Sequence, residues 1–247
     1  MDGMTLTFAL SDSTPFFGAD PERLVTIARH AEQCGFDGFY VPEHVAVYPG
    51  AAIGAWTLPP TLPFPDPLDI LTFVAAATDR ILLGTGVLLL PYHHPVTLAK
   101  RLATVDALSK GRMRLLTTGV GALPGEAAAV GVDYATRGRR ADEAIDVLRG
   151  LWAENEDGAT FDGEFFDLEN VFSYPKPLAP NGLPIHRRRE HGRGPPRGAA
   201  RRRLDARRIA APRRAQGPVG LDPHDGRGGR PRPRRHRLHA HGLVGEV

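Results

Sequence analysis

The residues best suited to chemistry in this chain are Glu43 and His44, which follow a short apolar run, Phe36–Val41. Such a run is typical of a buried strand, and in parallel α/β folds the functional side chains collect where strands end. Histidine titrates near neutral pH, so His44 could donate or accept a proton beside a ligand. A loop histidine that only caps a backbone group fits the same pattern. The spacing therefore indicates a candidate proton-transfer residue.

A second candidate feature lies inside the longest apolar run, Ile81–Leu90, which is typical of a strand buried on both faces of a parallel sheet. Gly84, Thr85 and Gly86 interrupt this run. Glycine within a strand indicates a bulge or a close approach of the backbone to a flat ligand. A tight fit against a neighbouring helix is an equally good explanation.

A third feature closes the next predicted strand, Arg114–Thr118, where Thr118 precedes Gly119 and Gly121. Two glycines lack the third glycine of a dinucleotide fingerprint, so this motif alone does not indicate nucleotide binding. The adjacent pair His93-His94 has no third ligand at metal-binding spacing, and we expect no metal site.

Strand and helix alternate along the first 186 residues, which predicts an α/β fold with a parallel sheet. The predicted strands are Thr5–Leu10, Phe36–Val41, Ile81–Leu90, Arg114–Thr118 and Leu183–His186. The predicted helices begin at Pro21, Asp69, Pro95 and about Arg139. Val45–Pro67 is a long proline-rich loop of the kind that covers a site, and Asp162-Gly163 predicts a hairpin with a type I′ turn.

The composition changes abruptly at residue 187. Residues 1–186 carry a formal net charge of −10 and all 18 aromatic residues, whereas residues 187–247 contain 18 Arg, no Lys and a net charge of +13. A segment without aromatic residues and rich in Arg, Gly and Pro cannot bury enough apolar area to offset its chain entropy. We therefore expect residues 187–247 to be a disordered basic tail.

The cellular compartment is indicated by what the sequence lacks. The chain has one cysteine, Cys34, which excludes an internal disulfide and suits a reducing cytoplasm. Cys34 falls on the apolar stripe of the first predicted helix, so we expect it to be a core residue. No signal peptide and no run long enough for a membrane span is visible, which predicts a cytoplasmic protein without a membrane partner.

Short motifs recur in a fixed order along residues 5–186. They are Ala31–Gly38, Glu43-His44, Arg80–Val87, His94-Pro95, Leu98–Lys100, Ala103–Arg112, Gly138, Asp142-Glu143, Leu151-Trp152, Phe161–Gly163 and Tyr174–Pro177. In this order and spacing they resemble the luciferase-like monooxygenase superfamily, and specifically its oxidoreductases that use coenzyme F420. Each motif is weak alone, but together they cover most of the chain.

The resemblance implies a TIM-type (β/α)8 barrel, incomplete here with about five of the eight strands, and a flavin or deazaflavin ring at its C-terminal mouth. It implies coenzyme F420 as cofactor, with FMN as the alternative, and a small organic molecule as substrate. His44 would face the ring as a proton donor or substrate-orienting group, held by Glu43. The proline-rich loop with Trp56 would wall the substrate pocket. The residues expected to border the ring are Gly84, Thr85, Gly86, Thr118 and Gly119.

The sequence departs from this family after the fifth strand. The family continues with a glycine turn and a helix N-terminus that cradle the cofactor phosphate, whereas here Pro184–His186 leads into Arg187–Arg189. Our hypothesis is a frameshift near codon 186, because a GC-rich gene read out of frame yields excess Arg, Gly and Pro. A natural basic tail is the rival, and translation of the other reading frames separates the two. We expect an unclosed barrel to bind cofactor weakly and turn over little, unless another chain, such as a homodimer partner, completes it.

A function of another class would come from the basic tail, residues 187–247. Its charge would bind nucleic acid through phosphates, with an affinity that falls steeply in salt. No aromatic residue interleaves the arginines, so base stacking is not indicated. We therefore expect only non-specific nucleic-acid binding.

Overall fold

The structure, a computed structural model, describes residues 7–9 and 21–187. The strands are β1 (Thr7–Ala9), β2 (Gly38–Val41), β3 (Ala52–Ile53), β4 (Trp56–Thr57), β5 (Leu82–Leu89), β6 (Met113–Gly119), β7 (Ala159–Asp162), β8 (Asp167–Val171) and β9 (Ile185–Arg187). The helices are α1 (Pro21–Gln33), α2 (Pro67–Ala77), α3 (Pro95–Leu108), α4 (Pro124–Ala129) and α5 (Arg137–Trp152), with a 3₁₀ turn at Leu90–Tyr92.

Five parallel strands form one sheet in the order β1-β2-β5-β6-β9 within the described residues. Each strand pairs with the next parallel strand along the chain, as in the wall of a (β/α)8 barrel. These are the five strands that the apolar runs predict, with ends that differ by one or two residues. The predicted α/β class with an incomplete barrel of five strands is confirmed.

The core lies between this sheet and its helices. Leu83 and Leu88 of β5 are fully buried, and α5 contributes the buried residues Ala144 and Leu148 at helical spacing. Trp152, the last residue of α5, is buried and donates from Nε1 to the carbonyl oxygen of Ala99 in α3 at 3.2 Å. The helices therefore pack against the sheet and hold the ends of its strands. This packing positions the residues that follow each strand.

Helix α2 begins at a side-chain cap that also anchors the preceding proline-rich loop. Asp66 accepts from the backbone N–H groups of Leu68 at 2.8 Å and Asp69 at 3.2 Å, and Pro67 occupies the first helical position. Arg101 of α3 donates to both Asp66 oxygens, at 2.9 and 3.1 Å. Burial raises the pKa of Asp66, but Arg101 and the backbone donors lower it more, so the net shift is downward.

Glu32 near the end of α1 binds the turn that leads into β5. Its carboxylate accepts from the backbone N–H groups of Asp79 at 3.2 Å, Arg80 at 2.6 Å and Ile81 at 2.7 Å. Burial raises the pKa of Glu32, but these bonds and the charge of Arg80 lower it more, so it lies below its ordinary value. The carboxylate therefore ties α1 to the amino end of β5.

We expect the Glu32 bonds to make stability depend on acid pH. Because the pKa of Glu32 is lowered by folding, its contribution is complete above the unfolded-state value and is lost as the pH falls through the folded value. Replacing Glu32→Gln should lower the free energy of unfolding by about 1 kcal/mol at neutral pH. Urea unfolding from pH 7 to pH 3 checks this. The difference between wild type and variant should shrink towards acid pH, and a constant difference would contradict it.

The structure corrects three expectations about local structure. The hairpin is present, but β7 and β8 are joined by four residues, with Gly163 N donating to Phe166 O at 3.0 Å, rather than by a type I′ turn at Asp162-Gly163. Cys34 is exposed rather than in the core, because α1 ends at Gln33 and Cys34 follows its last turn. The proline-rich loop contains a short antiparallel ribbon, β3 and β4.

The membrane expectation can be compared only with the described helices. Within residues 7–9 and 21–187, no helix is long and apolar enough to cross a bilayer. The expectation for the tail after residue 187 lies outside the described residues.

Candidate active site

Three chain segments meet at one edge of the sheet because the parallel strands β2, β5 and β6 all end there. We call this the carboxyl edge and define it by the last strand residues Val41, Leu89 and Gly119. The segment after β2 carries Glu43 and His44, as the sequence predicts. The carboxyl edge is where parallel barrels carry their functional groups.

His44 is paired with a carboxylate that lies 82 positions away. Its Nδ1 is 3.1 Å from Oε2 and 3.3 Å from Oε1 of Glu126 in the short helix α4. Glu126 is completely buried, and its Oε1 also accepts from the backbone N–H of Val45 at 2.6 Å. One buried carboxylate therefore holds both the imidazole ring and the backbone that carries it.

Glu43 does not hold His44, and the structure corrects this pairing. Its Oε2 accepts from the backbone N–H of Leu89 at 2.5 Å, and its Oε1 lies 2.9 Å from Nε2 of His93. Glu43 and His44 both lie beyond Val41, the last residue of β2, and their side chains bind different partners. Glu43 instead joins the ends of β2 and β5. The residue that holds His44 is Glu126, not Glu43 as the resemblance implies.

The ring of His44 remains partly accessible. Its side chain is 14% exposed, and its ring stands edge-to-face with that of Phe64, 4.7 Å between centroids at an angle of 68°. Phe64 belongs to the proline-rich loop, which therefore does reach the candidate site. Trp56, the residue expected to wall a pocket, lies in the β3–β4 ribbon and is 54% exposed.

The predicted cofactor-binding residues fall into two groups. Gly84, Thr85 and Thr118 are buried within the sheet, and the Thr85 hydroxyl donates to the carbonyl oxygen of Thr117 at 2.9 Å. Gly86 is exposed and Gly119 is half-buried. The β5–β6 register shifts between Gly86 and Leu88, which confirms the bulge expected there. The two glycines are therefore the accessible members of this set, and the threonines are buried.

Gly119 has no room for a side chain. A Cβ placed there would lie 2.6 Å from Cγ2 of Val87, well inside van der Waals contact. Packing against β5 is thus a sufficient reason for glycine at this position. The same is not true of Gly86, where the atoms nearest to a Cβ belong to the Tyr40 side chain and begin at 3.4 Å.

Tyr92 brings a phenol to the carboxyl edge, directly after β5. Burial and the negative charge of Glu126 raise its pKa to about 12, so the hydroxyl stays protonated. The ring packs against Gly121, whose positive φ of 83° and contact with Tyr92 both favour glycine. Tyr92 therefore helps to shape this edge without adding a charge.

Sequence reasoning missed Glu126, the partner of His44. One signal could have found it, because Glu126 is the single charged residue in the stretch Gly119–Val132. A lone acid within an apolar segment is buried only when it is paired. Nothing in the sequence specified which group it would pair with.

The carboxyl edge thus holds two imidazole–carboxylate pairs, His44 with Glu126 and His93 with Glu43. Within residues 21–187 no three histidine, cysteine or acidic side chains converge as a metal site would require. An imidazole oriented by a carboxylate can exchange a proton with a ligand at its other nitrogen. The arrangement is suited to proton transfer beside a bound molecule.

Comparison with known proteins identifies related sequences. A model of the luciferase-like monooxygenase family matches residues 2–187 of this chain. An uncharacterised protein of Mycobacterium tuberculosis is 38% identical over 170 residues, 64% of this chain and 57% of that protein. The 4-hydroxyprotoasukamycin monooxygenase of Streptomyces nodosus subsp. asukaensis is 34% identical over 172 residues, 68% of this chain and 43% of that protein. The chain spans about half the length of the curated relatives it matches.

Solved structures show the same fold. Monooxygenase RslO1 from Streptomyces bottropensis is 26% identical with a TM-score of 0.62, covering 74% of this chain and 53% of that chain. The oxygenating constituent of 3,6-diketocamphane monooxygenase of Pseudomonas putida, in complex with FMN, is 19% identical with a TM-score of 0.56, covering 73% and 47%. An F420-dependent secondary alcohol dehydrogenase in complex with an F420-acetone adduct is 23% identical with a TM-score of 0.56, covering 74% and 50%.

Proposed function

Because this chain belongs to the luciferase-like monooxygenase family, a family of flavin- or F420-dependent oxidoreductases, we propose that it transfers a hydride between coenzyme F420 and a small organic substrate. The observation that carries the proposal is the buried Glu126 carboxylate on Nδ1 of His44 at the carboxyl edge. A hydride transfer to or from a carbonyl needs a matching proton, and His44 is the side chain placed to exchange it.

Two glycines, Gly86 within β5 and Gly119 at the carboxyl edge, would leave room for a flat ring. Gly86 is exposed, whereas most other residues of β5 are buried. Because glycine has no side chain, a planar ligand could approach the backbone at this position. Gly119 lies on the adjacent strand β6, level with Leu89 of β5. Gly86 and Gly119 would border the ring, and Thr85 and Thr118 would support them from within the sheet. When bound, F420 supplies a hydride donor or acceptor.

The protein's own contribution is to orient one imidazole. With Nδ1 bonded to Glu126, the proton is exchanged at Nε2. The carboxylate keeps the tautomer and the ring plane fixed, as second partners of functional histidines generally do. His44 therefore acts as the proton donor or acceptor, and Glu126 as its positioning residue. Glu43 stabilises the same edge through Leu89 and His93.

A second candidate is FMN-dependent monooxygenation. It is supported by the relatives named as monooxygenases and by the FMN-bound structure of the same fold. The two candidates differ in chemistry, because reduced FMN can activate oxygen whereas a deazaflavin transfers a hydride. The candidate site offers a proton-transfer residue to both.

Equilibrium binding of the two cofactors separates these functions. The 247-residue chain is titrated with F420 and, separately, with FMN, and binding is followed by the fluorescence of each ring. We expect F420 to bind at least about tenfold more tightly than FMN. Tighter binding of FMN would favour the second candidate, and binding of neither cofactor, even at the weak affinity expected of an unclosed barrel, would contradict both.

We expect Gly86→Ala to weaken cofactor binding without weakening the fold. The atoms nearest to the added methyl group belong to the Tyr40 side chain and begin at 3.4 Å, an ordinary contact, so the free energy of unfolding should change by less than about 1 kcal/mol. The methyl would stand between a flat ring and the strand, and we expect the Kd for F420 to rise about tenfold. The matched control is Gly138→Ala in α5, where a Cβ has open space. Equal Kd values for the two variants would exclude Gly86 from the cofactor site.

A further inference from the structure

All three lysines of the chain, Lys100, Lys110 and Lys176, lie around one helix, α3. Lys100 belongs to α3, and Lys110 follows its end. Lys100 Nζ donates to the carbonyl oxygen of Tyr174 at 2.7 Å, and Lys176 Nζ lies 4.9 Å from the centroid of the Tyr174 ring. Because residues 1–186 carry a net charge of −10, this grouping places positive charge on one side of an acidic part of the chain.

Large apolar side chains are exposed between these lysines. The exposed fraction exceeds one half for three of them: Tyr174 (57%), Leu178 (58%) and Leu108 (61%). The segment Tyr174–Leu178 runs along α3, because it binds Lys100 at its first residue and Asp106 Oδ2, at 2.8 Å, through the backbone N–H of its last. Leu178 also reaches the turn after Lys110, since a Cβ placed at Gly111 would lie 3.6 Å from its Cδ1. We call this surface, the three lysines with the three apolar side chains, the lysine face.

A fourth cation, Arg114, borders the lysine face and is only loosely paired. Its Nη1 lies 3.8 Å from Oδ1 of Asp106, a completely buried carboxylate, which is too long for a hydrogen bond. Neither of these two atoms has a hydrogen-bond partner within residues 21–187. The Arg114 side chain is 30% exposed. Its guanidinium therefore keeps both charge and surface for an external carboxylate.

The lysine face ends at an acidic margin beside Lys176. Lys176 Nζ donates to the carbonyl oxygens of Leu151 at 2.7 Å and Ala153 at 3.0 Å, at the end of α5. Three exposed acids follow this helix end: Glu154, Glu156 and Asp157. These acids and carbonyls disfavour a further anion at Lys176. An anionic ligand is therefore expected at the other two lysines.

We propose that the lysine face binds an acidic amphipathic segment of a partner protein. The carboxylates of the segment pair with Lys100, Lys110 and Arg114, and its apolar side chains cover Leu108 and Leu178. Exposed apolar side chains with charges around them are typical of protein interfaces, and complementary charge selects the partner. This binding is independent of the proposed function, because the turn that carries Lys110 precedes β6 and lies at the end of that strand opposite the carboxyl edge.

The shape of the charge distribution favours a peptide segment over other anionic partners. A narrow segment lies along α3 without meeting the acidic margin. An anionic bilayer is broad and flat, so it would cover the acidic margin as well and be repelled by it. The phosphate backbone of a nucleic acid offers no apolar groups to cover Leu108 and Leu178.

Carbodiimide coupling tests the proposal in the 247-residue chain. An acetylated peptide of Glu-Leu-Leu-Glu repeats is the probe, and a water-soluble carbodiimide joins its carboxylates to lysine amines as amides. Residues 187–247 contain no lysine, so peptide that binds their arginines is not coupled there. We expect saturable coupling at Lys100 and Lys110, located by mass spectrometry, and little at Lys176. A control peptide of Glu-Ser-Ser-Glu repeats keeps the charge without the apolar groups and should need about tenfold more peptide for half-saturation.

Variants of exposed residues test the face itself. Leu108→Gln removes an apolar contact and Lys110→Glu reverses a charge. Each should raise about tenfold the peptide concentration that half-saturates coupling at Lys100. The control is Phe73→Gln, which removes an exposed apolar side chain from α2 and should change nothing.

Four results would overturn the proposal. The first is equal half-saturation in all three variants, and the second is coupling that does not saturate or that is as strong with the serine peptide. The third is coupling of these lysines to a second copy of the chain without any peptide, which would assign the face to self-association. The fourth is protection of all three lysines from acetylation by anionic vesicles, which would assign it to a membrane surface.

Discussion

Replacing Glu126→Ala is expected to lower the free energy of unfolding by about 3 kcal/mol and the rate of hydride transfer about a hundredfold. The stability loss follows because the completely buried carboxylate binds Val45 N at 2.6 Å and His44 Nδ1 at 3.1 Å, and its removal leaves both donors without their acceptor. The rate loss follows because the imidazole is no longer held in one tautomer and one orientation. Urea unfolding and single-turnover oxidation of reduced F420 measure the two effects.

Glu126→Gln is the matched control for this prediction. The amide oxygen can still accept from Val45 N, but an amide nitrogen in the place of Oε2 would donate to Nδ1 instead of accepting from it, which favours the other imidazole tautomer. We expect the glutamine variant to recover most of the stability but less of the rate. If both variants were as stable and as active as the wild type, Glu126 would be neither an anchor nor a positioning residue.

Arg112→Ala should lower the free energy of unfolding by about 3 kcal/mol, because one half-buried guanidinium joins three elements. Its Nη2 donates to Ala75 O at 2.7 Å in α2, and its Nη1 to Thr78 Oγ1 at 2.9 Å. Its Nε donates to Ser109 O at 2.9 Å after α3, and Nη1 also reaches Ile81 O, at 3.3 Å, before β5. Equilibrium unfolding in urea measures the loss.

The geometry of the Arg112 guanidinium donors, rather than the positive charge, is the reason for the expected loss of stability. Burial lowers the pKa of Arg112, but an arginine stays charged in proteins, so Arg112→Lys keeps the charge and loses the geometry. We expect the lysine variant to recover less than half of the stability. Full recovery by lysine would show that charge alone is needed.

The strands and their carboxyl edge could be predicted from the sequence because local patterns determine them. The apolar run Ile81–Leu90 and the observed β5, Leu82–Leu89, differ by one residue at each end. The helix predicted from Asp69 begins two residues earlier, at Pro67, because Asp66 caps it. The position of His44 after β2 could be predicted in the same way, since the end of an apolar run and a titratable residue are both recognisable in the local sequence.

The partners of these residues could not be predicted in the same way. His44 and Glu126 are 82 positions apart, and their contact depends on how β2 and the segment after β6 meet at the carboxyl edge. The family resemblance implied the adjacent Glu43 for this role, but Glu43 binds Leu89 and His93 instead. The contact between Phe64 and His44 could not be predicted either, because a proline-rich loop has no periodic pattern that indicates which side chains point inward. The predictions for residues 188–247 lie outside the described residues.

The most direct measurement of the central claim is single-turnover oxidation of reduced F420 by methyl isopropyl ketone, compared between wild type and His44→Gln. We expect the glutamine variant to bind F420 as the wild type does, because the bulged glycine strand is unchanged, and to transfer the hydride about a hundredfold more slowly, because the proton donor is gone. Equal rates at equal F420 affinity would contradict the role of His44. Turnover with reduced FMN and oxygen, but none with reduced F420, would contradict the proposed hydride transfer itself.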